Sequence, residues 1–534
     1  MTERMAAPTT AAYHRRLHRN VLVYIAILLT LLGAMAWAER VGLSRNLIGP
    51  IFLFSTVMIY ALIGISSRTT DEDEYYVAGR RIPAMYNGMA TAADWMSAAS
   101  FISLAGALYL QGFSGSGQQP GGLAYVMGWT GGFCLVALLI APHLRAMKLY
   151  TLPDYFDRRY GGRWPRIIAA LASVLCSFTY VVAQIYGIGL IASRLTGVQF
   201  EIGILLGLGG VLLCSFLGGM RAITWTQVAQ YIMLLLAFMI PVSWLAYKQL
   251  GTPLAPLVYG QQLSRIEAIE KKLINDPGEI EVREEYARRA QMFQRRLEHV
   301  DRSMVELRQE LEEKIRLLKA QSADYASIAQ ARRELLAVPR DAATAKEQWT
   351  RAMHDNLDRA RPLGGMPMHA QAFAGNPDGN PAEVKLFEES RLNFLALVFC
   401  LMVGTAGLPH LLTRFYTLPS VAEARSSVAW SLFFIGLLYL SVPALAVLVK
   451  FEVLNNLVGS SFEDLPSWMF QWARLDSALL EFSDVNGDRV LQLGELKLGA
   501  DMIMLATPEL GGMPFVVSGL VAAGGLAAAL STAD

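Results

Sequence analysis

Ten apolar stretches recur along the chain, near residues 20–39, 46–66, 84–110, 122–144, 164–194, 199–217, 224–248, 392–413, 427–450 and 512–534. A helix needs about 20 apolar residues to cross the hydrocarbon of a bilayer. Lipid tolerates only backbone whose polar groups are satisfied internally, so the pattern predicts an all-α, polytopic membrane protein. The first run, Asn20–Ala38, follows the basic stretch His14–Arg19 as the hydrophobic part of a signal peptide would. Its length, and the lack of a small-residue cleavage pattern after Glu39, favour an uncleaved span.

Charge orients the spans. Arg15, Arg16 and Arg19, the loop Arg68–Arg81, the segment His143–Arg166 and the short loop Arg414–Arg425 carry the basic residues expected on the cytoplasmic side. Counting alternately leaves Gly251–Arg391 and Phe451–Gly511 outside. Five units follow: membrane spans in 1–250, an outer insertion at 251–391, spans in 392–450, an outer loop at 451–511, and a last span at 512–534. Within the insertion, Ser264–Asn275 and Glu281–Gln321 are charged helical patterns separated by a turn at Asn275–Gly278. Phe293, Leu297, Val300, Met304, Leu307, Leu311, Ile315 and Leu318 recur at three- and four-residue steps and form one apolar seam. Such a seam either zips the insertion into an antiparallel hairpin or docks a second subunit.

Composition agrees. Of 534 residues, 54% are hydrophobic and 17% charged, and the net charge is +1. Soluble chains carry about a quarter charged residues. Near-neutrality leaves no electrostatic footprint for nucleic acid. Cys134, Cys176, Cys214 and Cys400 all fall in apolar runs and are expected to act as small packed hydrophobes. No nucleophilic triad, metal-ligating cysteine cluster or phosphate-binding glycine loop is present, so no enzyme reading survives. His410, after Gly407-Leu-Pro409, is expected to be a packed or interfacial histidine.

The third span departs from the rest. Gly88–Ala107 interleaves small residues with Asp94, Ser97, Ser100 and Ser103. Small residues allow close helix packing. An ionisable residue at membrane depth is costly and points to function. Together they suggest a broken helix, whose freed carbonyls can ligate a cation and whose half-helix N-terminus can face an anionic solute. A second signal lies in the outer loop. Asp484, Asn486, Asp488, Val490, Gln492 and Glu495 occupy the oxygen-ligand positions of a twelve-residue calcium loop, with Arg489 where glycine is usual. Leu475–Phe482 and Leu493–Leu498 would supply its flanking helices.

Five motifs in register carry a resemblance: Asp73–Arg80, Thr151–Phe156, Gly218–Gln227, Gly404–His410 with Arg414, and Ser531-Thr532. They resemble the sodium:solute symporter family. Asp94–Phe101 and Gly404–Tyr416 are most similar to its cation/acetate branch, in the form with a long inserted hairpin. The resemblance implies a LeuT-like core of two inverted five-helix repeats, preceded here by two extra spans, in a multi-pass bacterial inner-membrane protein with a cytoplasmic N-terminus. It implies a sodium site made by carbonyls of Ala93, Met96 and Ala528 and the hydroxyls of Ser531 and Thr532. Oxygens alone suit a hard cation. Gln227 stands where many relatives carry aspartate, which leaves proton coupling open beside sodium.

The expected function is cation-coupled symport of a small carboxylate, acetate foremost, with Asp94, Trp95, Ser97 and Ser100 near the solute. Calcium in the outer loop and a subunit contact through the insertion are further expectations. An amino-acid carrier and a symporter-like sensor domain are the rivals. The sequence stops within its last apolar run, so a chain continuing beyond Asp534 is expected.

Overall fold

A computed structural model describes residues 10–116, 119–197 and 199–533. Among them, seven helices are long and apolar enough to cross a membrane, and a bent pair supplies an eighth span. The ten predicted stretches are accounted for by two breaks. Phe200–Leu250 is one helical run interrupted only at Gly219, whose φ of 50° and ψ of −144° divide the sixth span from the seventh. Glycine is required there, since a Cβ would lie 2.5 Å from the Tyr75 carbonyl. The third span divides into Ala84–Trp95 and Leu104–Gln111, with Met96 and Ser97 off the regular helix and a π-turn at Ala99–Ser103. This is the broken helix expected from its composition.

The eighth span differs from expectation. It starts earlier and breaks in mid-course: Pro381–Ala406 ends at Gly407, and Pro409–Thr417 leaves at 45°. Proline at 409 lacks the N–H that would continue the ladder, so the helix restarts there. Arg414 therefore lies 3% exposed in the interior and not on a cytoplasmic loop. Two discontinuous helices, five spans apart and facing each other, are the hallmark of paired inverted repeats. Close packing relies on small residues. A Cβ on Gly88 would meet the Trp430 side chain at 2.6 Å, and one on Gly524 the Ala237 Cβ at 2.2 Å.

Predicted inner loops gather on one face. Glu74 pairs with both Arg81 and Arg221, Tyr150 donates to Asp73 (2.6 Å), and Arg145 donates to the Pro419 carbonyl (2.6 Å). At the other end, the outer segments close over the bundle. The helix Ala500–Leu510, which the apolar pattern missed, buries Met502–Pro508 against the outer half of the third span; Gly106 has room for it only because it lacks a Cβ, which would sit 2.0 Å from the Ala500 carbonyl. The insertion is tied down by Glu270, whose carboxylate pairs with Lys450 Nζ (3.0 Å). Glu270 also accepts the His369 N–H (3.2 Å), while the His369 carbonyl accepts from Phe113 N (3.0 Å). Both members of the ion pair are 1% exposed.

Inside the insertion, Gly260–Ile274 and Pro277–Glu298 flank the predicted turn, and Val300–Ala320 continues after a break at His299. The central seam does pack within the chain. Its partner is Ala342–Arg359: Met304, Ala345 and Trp349 bury one another, with Phe293, Leu297, Val300 and Leu307 against them. That stretch is packed within the chain, while Val305 and Leu317 on the same helix stay exposed.

The calcium-loop region also differs from expectation. Its flanks are not helices but paired strands, β1 (Leu480–Phe482) and β2 (Leu496–Leu498), because their apolar residues alternate with a period of two. Asp484 accepts from Gly487 N (2.7 Å) and Arg489 N (3.2 Å), and Asp488 from Val490 N (2.8 Å) and Gln492 Nε2 (2.6 Å). Asn486 accepts from Asp488 N (3.2 Å) and buried Glu495 from Gln492 N (3.1 Å). Burial raises the Glu495 carboxyl. The loop's oxygens thus accept from its own backbone and from the Gln492 side chain, and among the described residues no group of three or more His, Cys, Asp or Glu is arranged to hold a metal. The cysteine expectation is corrected: Cys176 and Cys400 are exposed and Cys134 is half-buried, while the Cys214 side chain lies outside the described residues.

His369 is fully buried, and neither ring nitrogen has a partner. Burial, then the nearby Lys450 cation, lowers its pKa well below the ordinary 6.5. The folded protein therefore resists a proton that the unfolded chain accepts. Stability from this site is complete above pH 6.5 and declines as the pH falls below it. Melting midpoints of the detergent-solubilised protein should fall between pH 7 and 5, and His369→Gln should flatten that slope. An unchanged slope would exclude this histidine as its origin.

A buried charge network between the broken helices

The half-helix Ala84–Trp95 ends where Met96 leaves helical geometry (φ −82°, ψ 68°). That break aims the Asp94 side chain inward. Asp94 Oδ2 accepts from Arg414 Nε at 2.5 Å, and Oδ1 accepts from the Gln227 amide. Arg414 also bonds Thr224 Oγ1 (3.2 Å) and the Gln227 carbonyl oxygen. Gln227 Nε2 reaches on to the Ser531 carbonyl at 2.7 Å. One amide thus joins a carboxylate, a guanidinium and a third helix. An aspartate at 227 could not do this, since a carboxylate only accepts and would repel Asp94.

Beside this network, Phe515–Ala533 crosses the break. Ser531 Oγ lies 2.8 Å from the Ala93 carbonyl and 3.0 Å from that of Ala528. Thr532 Oγ1 lies 3.2 Å from the carbonyls of both Asp94 and Ala528. Four residues of the sequence-derived cation set, Ala93, Ala528, Ser531 and Thr532, therefore meet, and the Asp94 carbonyl joins them. Met96 is buried next to them and its N–H bonds Ala92, but no contact ties its carbonyl to the group. Hydroxyls now donating to carbonyls can turn their lone pairs to an ion instead, so carbonyls and hydroxyls together fit a hard monovalent cation.

A small cavity of about 20 Å³ lies on the opposite side of Asp94. Trp95, Trp129, Tyr180 and Tyr439 form its aromatic walls, with Ser100, Thr405 and His410 supplying polar edges. Ser100 Oγ sits 3.0 Å from the Tyr439 hydroxyl. Ser97 is buried just behind, its Oγ accepting from Ser100 N (3.4 Å). Of the four predicted solute residues, Asp94, Trp95 and Ser100 line the cavity and Ser97 does not. Asp94 is moreover already engaged on both oxygens. His410 Nε2 is buried without a partner. The outer-loop residues Asp484–Glu495 lie apart from this site.

Sequence reasoning underweighted two residues. Arg414 was counted as a loop charge, although Asp94 at membrane depth demanded a buried counter-ion. Gln227 was noted as a lost carboxylate, and its two-sided amide was the overlooked signal.

A model of the sodium:solute symporter family matches residues 75–279. The chain is 49% identical over 529 residues to an uncharacterized symporter of Cupriavidus necator, covering 97% of this chain and 75% of that protein. Among solved structures it is similar to the substrate-bound outward-open state of a Na+-coupled sialic acid symporter, at 14% identity and a TM-score of 0.48, over 91% of this chain and 70% of the other.

Breaking a buried ion pair strands the remaining charge, which typically costs about 3–5 kcal/mol. Arg414→Met should therefore lower unfolding stability strongly by leaving Asp94 unpaired. Adding Asp94→Asn should recover at least half of that loss. Additive losses in the double variant, measured by unfolding in detergent, would show that the two side chains are not coupled.

Proposed function

The chain belongs to the sodium:solute symporter family, and from that premise we propose that it carries a short monocarboxylate, with acetate the leading candidate, inward with sodium. The cavity beside Asp94 carries this reading. Its volume of about 20 Å³ offers room for one water-sized group, so a solute of two or three carbons needs little wall movement and a sugar ring much more. His410 Nε2 and Trp95 Nε1 are buried at this cavity without a hydrogen-bond partner, and both can donate to a carboxylate. An amino acid would add an ammonium group, and Asp94, the acidic residue at the cavity, is already held by Arg414 and Gln227.

Sodium is assigned to the carbonyls of Ala93, Asp94 and Ala528 and the hydroxyls of Ser531 and Thr532. An ion there would bind across the break in the third span and hold the half-helix against Phe515–Ala533. The Gln227 bond from Asp94 to the Ser531 carbonyl supports a link between the two sites: a shift of the last helix moves the amide that orients Asp94 and Arg414. Coupling then follows from shared geometry, because each ligand stabilises the arrangement the other requires. Calcium at Asp484–Glu495 is not part of this reading, which rests on the site between the broken helices.

Proteoliposomes given an inward sodium gradient should accumulate labelled acetate, and collapse of the gradient should abolish accumulation. Removing one hydroxyl ligand, by Thr532→Ala, should raise the sodium concentration for half-maximal uptake roughly tenfold, about the worth of one charge-assisted bond. His410→Ala should raise the half-saturating acetate concentration while leaving the sodium response in place. Sodium-independent uptake would refute the cation site, and binding without flux would favour a sensor.

A further inference from the structure

The first helix, Thr10–Val41, leans on the bundle at few points. Tyr24 donates to the Ala229 carbonyl (3.0 Å), and at the outer end the Glu39 carboxylate accepts from Phe515 N (2.8 Å) and Val516 N (2.9 Å). Between these points and the helix's cytoplasmic end, a groove of about 510 Å³ opens against the bundle. Leu22, Ile25, Met89, Ile232, Leu235 and Phe434 line it. Its polar feature is at one end, where the Tyr86 hydroxyl meets His18 Nδ1 at 2.8 Å.

Sequence spacing ties that end to charge. His18, Val21, Leu22 and Ile25 line the groove, and on the same helix Arg15 stands three residues before His18 and Arg19 three before Leu22, so both neighbour its His18 end. Both arginines are exposed. The apolar groove thus ends beside two cations, at the end of the helix that its basic residues mark as cytoplasmic. Hydrocarbon is the medium that fills such a groove in a bilayer, and a basic pocket between spans on the cytoplasmic side recognises an acidic headgroup. We propose that this groove is a binding site for an anionic phospholipid, one acyl chain lying along Leu22–Ile25 and the phosphate resting on Arg15 and Arg19. The lipid acts as a filler between the first helix and the half-helix that carries Asp94, since Met85 and Met89 of that half-helix face it.

Native mass spectrometry of the purified, delipidated protein, titrated separately with phosphatidylglycerol and phosphatidylcholine of equal chain length, tests this. Phosphatidylglycerol adducts should exceed phosphatidylcholine adducts by roughly fivefold for each arginine engaged. The variant Arg15→Gln/Arg19→Gln should bring the two lipids level. Leu22→Trp, on a helix already 65% exposed at that position, should fill the groove and reduce both adducts while the melting midpoint stays near that of the parent. Equal retention of the two lipids by the unmodified protein, or undiminished adducts on Leu22→Trp, would overturn the proposal.

Discussion

Asp94 lies in a helix break where water is scarce, and a carboxylate there is tolerable only with a cation and hydrogen bonds around it. Arg414 and Gln227 provide them from the eighth and seventh spans. Much else follows from that constraint. The third span must open at Met96 to direct Asp94 inward, and the eighth must restart at Pro409 to bring Arg414 to the same depth. The break in the third span also frees the Ala93 and Asp94 carbonyls, and those are the atoms that the Ser531 and Thr532 hydroxyls approach. A charge network and a cation-sized oxygen cluster are thus two results of one pair of breaks.

The two ends of the bundle are held differently. At one end, exposed or half-exposed pairs such as Glu74 with Arg81 and Arg221 link adjacent loops, and solvent screens them. At the end that bears the insertion, Lys450 and Glu270 are wholly buried, and Ala500–Leu510 is pressed onto Gly106. Opening the insertion end therefore requires moving elements whose charges have no water to fall back on. Opening the other end disturbs contacts of smaller individual worth. His369 adds a pH-sensitive element to the outer closure, because a proton there would be buried beside Lys450.

The first helix belongs to neither end. It is fastened by a tyrosine hydroxyl and a carboxylate cap, and its inner half is separated from the bundle by an apolar groove. Lipid in that groove would give the half-helix bearing Asp94 a compressible neighbour in place of a rigid one.

Apolar run lengths by themselves determined the helical membrane class, because the bilayer imposes a length and an internal hydrogen-bonding rule on any chain that crosses it, and the basic residues marked which loops were expected to share a face. Composition of Gly88–Ala107 determined that this span breaks, and the seam from Phe293 to Leu318 determined that the insertion is helical. Only the tertiary structure decided what each polar residue serves. Arg414 could be a loop cation or a buried counter-ion, and the choice depends on Asp94, 320 residues away in sequence. Ala500–Leu510 carries too few apolar residues to register as a span, yet it is buried because the outer vestibule receives it. The strands at Leu480 and Leu496 overrode a motif that expected helices, since pairing depends on register across the loop and not on the loop's own residues. Local pattern fixes what a segment can form. Partners distant in sequence decide which charges are paired, which hydroxyls meet carbonyls, and so where an ion and a solute can sit.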